Sequence, residues 1–438
     1  MTETTDTVIP FMKGSYAPVA DELTAFDLPV QGTIPADLNG WYLRNGPNPR
    51  EATGHWFAGD GMVHGVRLEN GRAAWYRNRW VRTDSFDNPF PLYNADLTRN
   101  LHASVANTHV IRHAGKTLAL VETSLPYEIT NELETLGAYD FNGKLADSMT
   151  AHPKICPATS ELHFFGYGSL TAPYVTYHRA DASGDLTINR AIDVKANTMM
   201  HDFALTASHV IFMDLPIVFN LDVALRGERD MPYRWDDSYG ARFGVMDRDD
   251  PFGAIRWFEI DPCYVFHVAN AYDDGNSIVL QAVRYPELWR HNSGFEVDGV
   301  MWRWTIDLTT GTVEERQLDD RPVEFPRIDD RLAGLPARYG VAVGDGSLLQ
   351  YDLETGAAQE HQFGDDTSRG EPSEAVFVPS DSTVDERAGW YLTYVYDPVR
   401  EGSDLVILDA SDITAEPVAR VRLPQRVPHG FHGNWVTD

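Results

Sequence analysis

Short apolar stretches rich in Val, Ile, Tyr, Phe and Trp recur along the chain, and clusters of Gly, Asp, Asn and Pro separate them. Runs of this length bounded by turn formers predict strands. The clearest are Thr117 to Glu122, His209 to Leu215, Ser277 to Val283, Gly389 to Tyr396 and Asp404 to Asp409. No segment carries the three-to-four-residue periodicity of an amphipathic helix over several turns, and Pro153, Pro157 and Pro173 exclude one around His152. The pattern predicts an all-β chain.

An internal repeat narrows the architecture. Ile306 to Leu318 (IDLTTGTVEERQL) aligns with Tyr351 to Phe363 (YDLETGAAQEHQF) at an offset of 45 residues. A period of this size in an all-β chain points to propeller blades, with D-L-x-T-G as the turn joining the outer strands of a blade. At roughly 50–60 residues per blade, the length allows about seven or eight blades in one domain. The competing reading, a coincidence of two similar hairpin turns, stays open on the sequence.

Composition then removes several classes of function. With 438 residues, 43% apolar and 23% charged, the chain has ample core. Its net charge of −29 opposes binding to nucleic acid or to anionic lipid. Cys156 and Cys263 stand among apolar residues and are expected as buried free thiols in a reducing compartment. The first residues lack the basic and apolar regions of a secretory signal, and no apolar run is long enough to cross a bilayer, so a cytoplasmic location is expected. Phosphate loops, nucleophile elbows and H-E-x-x-H motifs are missing from the sequence.

Fifteen histidines remain to be sorted. His152, His201, His267 and His432 lie among apolar or aromatic neighbours at strand edges, separated by 49, 66 and 165 residues. These intervals approximate whole numbers of blades, so all four can project onto a propeller axis. Neutral imidazoles gathered there would suit a borderline divalent ion such as iron, zinc or copper. Metal-bound imidazoles usually donate their second N–H to a carboxylate, which draws attention to Glu122, Glu324 and Glu374 in apolar surroundings. Singly, each histidine is more often a core residue and each glutamate as often an exposed one. His102, His109 and His113 form a denser cluster, but the strand and turn pattern around them assigns them structural roles.

At this point the sequence resembles a known family. GTIPADLNGWYLRNGPNP, HWFAGDGMVHGVRL, AHPKICPATSELHFFGY, MMHDF, FHVANAYDD, EPSEAVFVP and PHGFHGNWV are similar, in order and across nearly the whole chain, to the blocks of the carotenoid cleavage oxygenases, which include stilbene-cleaving dioxygenases. The resemblance implies a seven-bladed propeller over residues 14–438, following a flexible N-terminus at 1–13, with a loop cap over an axial non-haem Fe(II). It implies His152, His201, His267 and His432 as ligands, selecting His432 over His429. Glu122, Glu324 and Glu374 would orient them, with His152 lacking a carboxylate partner. Thr108, Val121 and Phe57 would line the way for O2 and substrate. Four neutral ligands leave open positions for O2, and no general acid is needed to split an alkene into two carbonyl products.

Two departures bear on the substrate. Val121 stands where stilbene cleavers carry a lysine, and Ala58 replaces an aspartate often found in its block. Valine cannot hold a phenolate, so the expected substrate is a carotenoid or apocarotenoid. A smaller aryl-alkene, or a propeller that only binds a polyene, is the alternative. Pro216 to Trp235, where some members carry an apolar membrane-facing surface, is mixed with charge and supports at most weak membrane contact.

Overall fold

The computed structural model describes residues 10–226, 230–365, 367–380 and 385–437. Seven antiparallel sheets are arranged as a seven-bladed β-propeller, together with one separate two-stranded ribbon. Blade 2 runs from the inner strand His109–His113 through Lys116–Leu120 and Tyr127–Ile129 to Thr135–Ala138. Blades 3, 4, 5 and 6 repeat this order, with inner strands Lys154–Ile155, Ala204–Leu205, Val268–Asp274 and Glu324–Ile328. In blade 7, Val376–Pro379 and Glu371–Pro372 both pair with Gly389–Asp397.

The chain closes the ring with both ends. Its last strand, Gly433–Thr437, pairs with Gly40–Pro47 as the inner strand of blade 1, while Val30–Gly32 joins Ala419–Arg422 at the outside of blade 7. Each closure removes exposed sheet edges and ties distant parts of the sequence together. The strands are buried on both faces because neighbouring blades pack against them, which explains continuous apolar runs such as Ser277–Arg284.

The repeated D-L-x-T-G segments occupy equivalent places. They link Val300–Asp307 to Val313–Gln317 in blade 5 and Ser347–Asp352 to Ala358–Gln362 in blade 6. Oδ1 of Asp307 accepts the backbone N–H groups of Thr309 and Thr310 at 2.7 and 3.0 Å, and Asp352 does the same for Glu354 and Thr355 at 3.1 Å. Gly311 and Gly356 then take φ of 80° and 84°, a left-handed conformation that costs glycine little. The repeat is therefore a true blade signature.

Each expected strand is present within one or two residues of its limits. Helix is confined to short pieces among the described residues. The only α-helix there, Leu221–Arg226, lies between the ribbon strands Ile217–Phe219 and Tyr233–Trp235 inserted in blade 4. It exposes Leu221 and Leu225, and among the described residues no helix is long and apolar enough to cross a membrane. Cys156 and Cys263 are free and buried. Of the N-terminal stretch, residues 1–9 lie outside the described residues; Pro10–Met12 forms a 3-10 turn whose Phe11 ring packs against Tyr16 and Trp56.

Candidate active site at the propeller axis

The inner strands of the blades start at a common level, and most of the candidate residues sit at those starts. His432 precedes the inner strand of blade 1, His152 that of blade 3, His201 that of blade 4 and His267 that of blade 5. Glu324 opens the inner strand of blade 6, and Glu374 immediately precedes Val376–Pro379 in blade 7. Blade 2 contributes His109 at the equivalent position, and Glu122 just beyond its second strand.

His152, His201 and His267 each present a ligand atom within 4.8 Å of the others. Nε2 of His201 lies 3.0 Å from Nε2 of His152 and 3.3 Å from Nε2 of His267. His432 stands beside this group, with its ring centroid 4.6 Å from that of His152 and 4.7 Å from that of His267. All four are buried. Burial, reinforced by the adjoining imidazoles, holds His152 and His432 well below the usual imidazole range, so both keep a free lone pair at neutral pH. Burial also opposes the charge of His267, but Glu324 outweighs it and raises this imidazole overall.

The carboxylates take the opposite ring nitrogens. Nδ1 of His267 meets Glu324 Oε2 at 2.5 Å and Nδ1 of His432 meets Glu374 Oε1 at 2.8 Å, while Nδ1 of His201 contacts Glu122 Oε1. These contacts aim Nε2 inward in three of the four rings. Among the described residues His152 makes no carboxylate hydrogen bond; Glu122 Oε1 is 3.9 Å from its Nε2. The glutamates are themselves anchored. Tyr167 donates its hydroxyl to Glu122, Tyr285 to Glu324 at 2.9 Å, and Glu374 accepts Arg327 Nη1 at 3.1 Å and the Gly433 N–H at 2.9 Å.

Two cavities meet at this cluster. One, of about 830 Å3, is walled by aromatic side chains including Phe57, Phe266 and Phe431 and reaches His201, His267 and His432. Thr108 and Val121 also line it. Thr108 Oγ1 donates to Asn107 Oδ1 at 2.9 Å, and Asn107 in turn donates to the carbonyls of Phe57 and Gly59 at 2.9 Å, which ties Thr108 to the Phe57 segment. Ala58 lies in the same wall, where an aspartate would set a charge among apolar groups. The second cavity, of about 420 Å3, touches His152, His267 and His432 and carries Lys154, Asp202, Arg327 and Asp330.

His109 was sorted with the structural histidines, and the blade position explains what that sorting overlooked. Its ring centroid lies 5.2 Å from that of His432, its Nδ1 donates to the Ala151 carbonyl at 2.8 Å, and its side chain borders the smaller cavity. The spacing of inner-strand starts, from 109 through 152, 201, 267, 324 and 374 to 432, carries the signal that would have placed it on the axis. His113 points elsewhere, to the Ser160 carbonyl, and His102 is exposed beside Asp84.

Four buried imidazoles of the borderline type, three of them held from behind by a carboxylate, fit a divalent transition metal and do not fit a hard cation seeking oxygen ligands. Fold and site together define a β-propeller with a candidate histidine metal centre on its axis. The sequence model of the family described as retinal pigment epithelial membrane protein matches residues 16–437. A carotenoid cleavage oxygenase of Mycobacterium tuberculosis is 39% identical over 98% of this chain and 97% of its own length. A carotenoid 9,10(9',10')-cleavage dioxygenase of Crocus sativus is 35% identical over 98% and 89%, and an isoeugenol monooxygenase of Pseudomonas nitroreducens 33% over 98% and 98%. The crystal structure of a Pseudomonas brassicacearum lignostilbene dioxygenase superposes with a TM-score of 0.87 at 28% identity, covering 98% of each chain. The chain belongs to the carotenoid cleavage oxygenase family and is an enzyme of the dioxygenase type.

Proposed function

We propose that this protein binds Fe(II) through His152, His201, His267 and His432 and uses O2 to cleave a C=C bond of a carotenoid or apocarotenoid into two carbonyl products. When bound, the iron would supply the O2 activation that no side chain here provides. The chain's own residues do the rest. Glu122, Glu324 and Glu374 fix the imidazole tautomers, and Phe57, Phe266 and Phe431 exclude water and hold an elongated apolar alkene beside the cluster. Thr108 borders the same space and would shape O2 access. Loops bearing Phe11, Trp56 and Phe295 act as the cap, residues 14–438 act as one domain, and the reading places the enzyme in the cytoplasm with at most weak membrane contact through Leu221 and Leu225.

The observation that carries this reading is the long aromatic cavity ending on the buried histidine cluster, with Val121 in its wall. A wall without a cation favours a polyene over a phenolic stilbene, and the carotenoid-cleaving relatives at higher identity agree with that choice. Anaerobic Fe(II) loading followed by O2, with a long apocarotenal and a 4-hydroxystilbene in parallel and products identified by mass, tests it. Cleavage of the apocarotenal alone is expected. Cleavage of the stilbene alone overturns the substrate assignment, and full iron occupancy with both alkenes untouched overturns the catalytic reading.

A further inference from the structure

The innermost strand of a blade has no ladder neighbour on its axial side, so the backbone N–H groups there need other acceptors. Blade 1 shows one solution. Glu374 accepts the N–H of Gly433, the residue after His432, at 2.9 Å, and Arg327 from the charged cavity pairs with it at 3.1 Å. On the far side of the ring Asp202 repeats the arrangement. Its Oδ2 accepts the N–H of Val268, the residue after His267, at 2.8 Å, and its Oδ1 takes Lys154 Nζ at 2.8 Å and the Phe203 N–H at 2.7 Å. The Asp202 side chain is as deeply buried as that of Glu374.

One carboxylate therefore touches three strands at once. Lys154 lies two residues beyond His152 in blade 3, Asp202 follows His201 in blade 4, and Val268 follows His267 in blade 5. Those are the three histidines whose ligand atoms lie within 4.8 Å of one another. We propose that Asp202, together with Lys154, is a positioning residue that fixes the spacing of His152, His201 and His267. Through Lys154 it gives the His152 strand the carboxylate support that the His152 ring lacks. This inference rests on the metal-centre reading above and deepens it.

Burial gives the contact its force. A carboxylate withdrawn from water needs its donors, and charge-assisted bonds to groups on three blades leave little play between the strands that carry the histidines. Neither Asp202 nor Lys154 borders the aromatic cavity; both line the charged one. Their effect on the alkene is therefore indirect, through the histidine cluster. Charge alone would act differently from positioning. Losing a carboxylate would weaken a nearby cation site and losing an ammonium would strengthen it, whereas a lost brace weakens the site in both cases.

Anaerobic Co(II) binding to the whole protein, read by chelator competition and by the visible spectrum of the bound ion, tests this without turnover. Asp202→Asn keeps the size of the side chain and an acceptor for Val268, and Lys154→Met keeps the stem while removing the ammonium. Each is expected to weaken Co(II) retention by about tenfold and to alter the spectrum, and the double variant should bind no more weakly than the weaker single one, because the pair acts as a unit. With the iron-loaded protein, kcat should fall while KM for an apocarotenal stays within about twofold of wild type. Tighter Co(II) binding by Lys154→Met overturns the positioning role in favour of charge alone. Affinity and spectrum unchanged in both variants, with only the unfolding midpoint lowered, overturn it too. If Asp202→Asn fails to fold, the sign of the Lys154→Met effect decides. Failure of the unaltered protein to bind Co(II), or equal binding by His267→Ala, overturns the metal centre itself and this inference with it.

Discussion

The two cavities on either side of the histidine cluster are made by the same inner strands, yet they differ in kind. One is aromatic, and the other carries Lys154, Asp202, Arg327 and Asp330. The direction of the chain explains the division. Thr108, Phe266 and Phe431 each precede an axial residue and face the aromatic cavity, whereas His109, Val268 and Asn434 border the charged one. In blades 1, 2 and 5 the inner strand thus enters beside the aromatic space, passes the level of the cluster and continues along the charged space. In these blades the position before the axial residue borders the alkene's space, and the positions beyond it border the charged support.

The sharpest way to break this division is to remove the plug between the two spaces. His267 touches both cavities and both neighbouring histidines. His267→Ala is expected to abolish iron retention and cleavage together, measured by metal content and product yield; full iron occupancy in this variant would defeat the ligand assignment. Next in size is the charged wall. Arg327 pairs with the almost fully buried Glu374, so Arg327→Met leaves that carboxylate without its cation and should cost about 3–5 kcal/mol in denaturant unfolding. A loss below about 1 kcal/mol would mean that the charged wall does not support the site.

Much of this layout was legible in the sequence. The apolar runs became strands, the D-L-x-T-G turns became equivalent outer hairpins, and the four histidines met on one axis because their spacing follows the blades. Legibility failed where the signal was not periodic. His109 was grouped with His113 by local sequence; the two share a strand face, but only His109 stands at the axial start of the strand, and four residues of separation send their ring nitrogens to different carbonyls. The aromatic wall was harder still, because Phe11, Trp56 and Phe295 come from unrelated loops that no repeat links. Closure of blade 1 by Gly433–Thr437 depends on pairing across the whole chain, which local pattern cannot express.

His109 offers a test of the charged side in the metal-free protein. Burial, aided by His432, holds its imidazole down at about 3, below the ordinary value of about 6.5 that it regains on unfolding. Below pH 6.5 the unfolded chain therefore binds the proton more readily, and the stability linked to neutral His109 is present above that pH and lost as pH falls toward 3. Replacing it with Gln removes the titration. The difference in unfolding free energy between wild type and His109→Gln should change by roughly 3 kcal/mol between pH 7 and pH 4. Parallel pH profiles would show that His109 is not held neutral. A smaller change is expected at Glu324, where Glu324→Gln keeps a hydrogen-bond partner for His267 but removes the charge, and iron retention should weaken by about tenfold.

The smallest effect on the metal, and the cleanest separation of the two sides, belongs to Val121. It lines the aromatic cavity immediately before Glu122, so a lysine introduced there enters the alkene's space while Glu122 still serves His201. Val121→Lys should leave iron occupancy within about twofold of wild type, because no contact of the histidine cluster is removed. It should instead raise the use of a 4-hydroxystilbene relative to an apocarotenal by several-fold, since a cation in a low-dielectric wall attracts a phenolate and repels an unfunctionalised polyene. The ratio of the two cleavage rates measures this directly. A variant that loses iron would show that the aromatic wall and the metal support are not separable, whereas an unchanged ratio at full iron occupancy would place the selection elsewhere on the same wall.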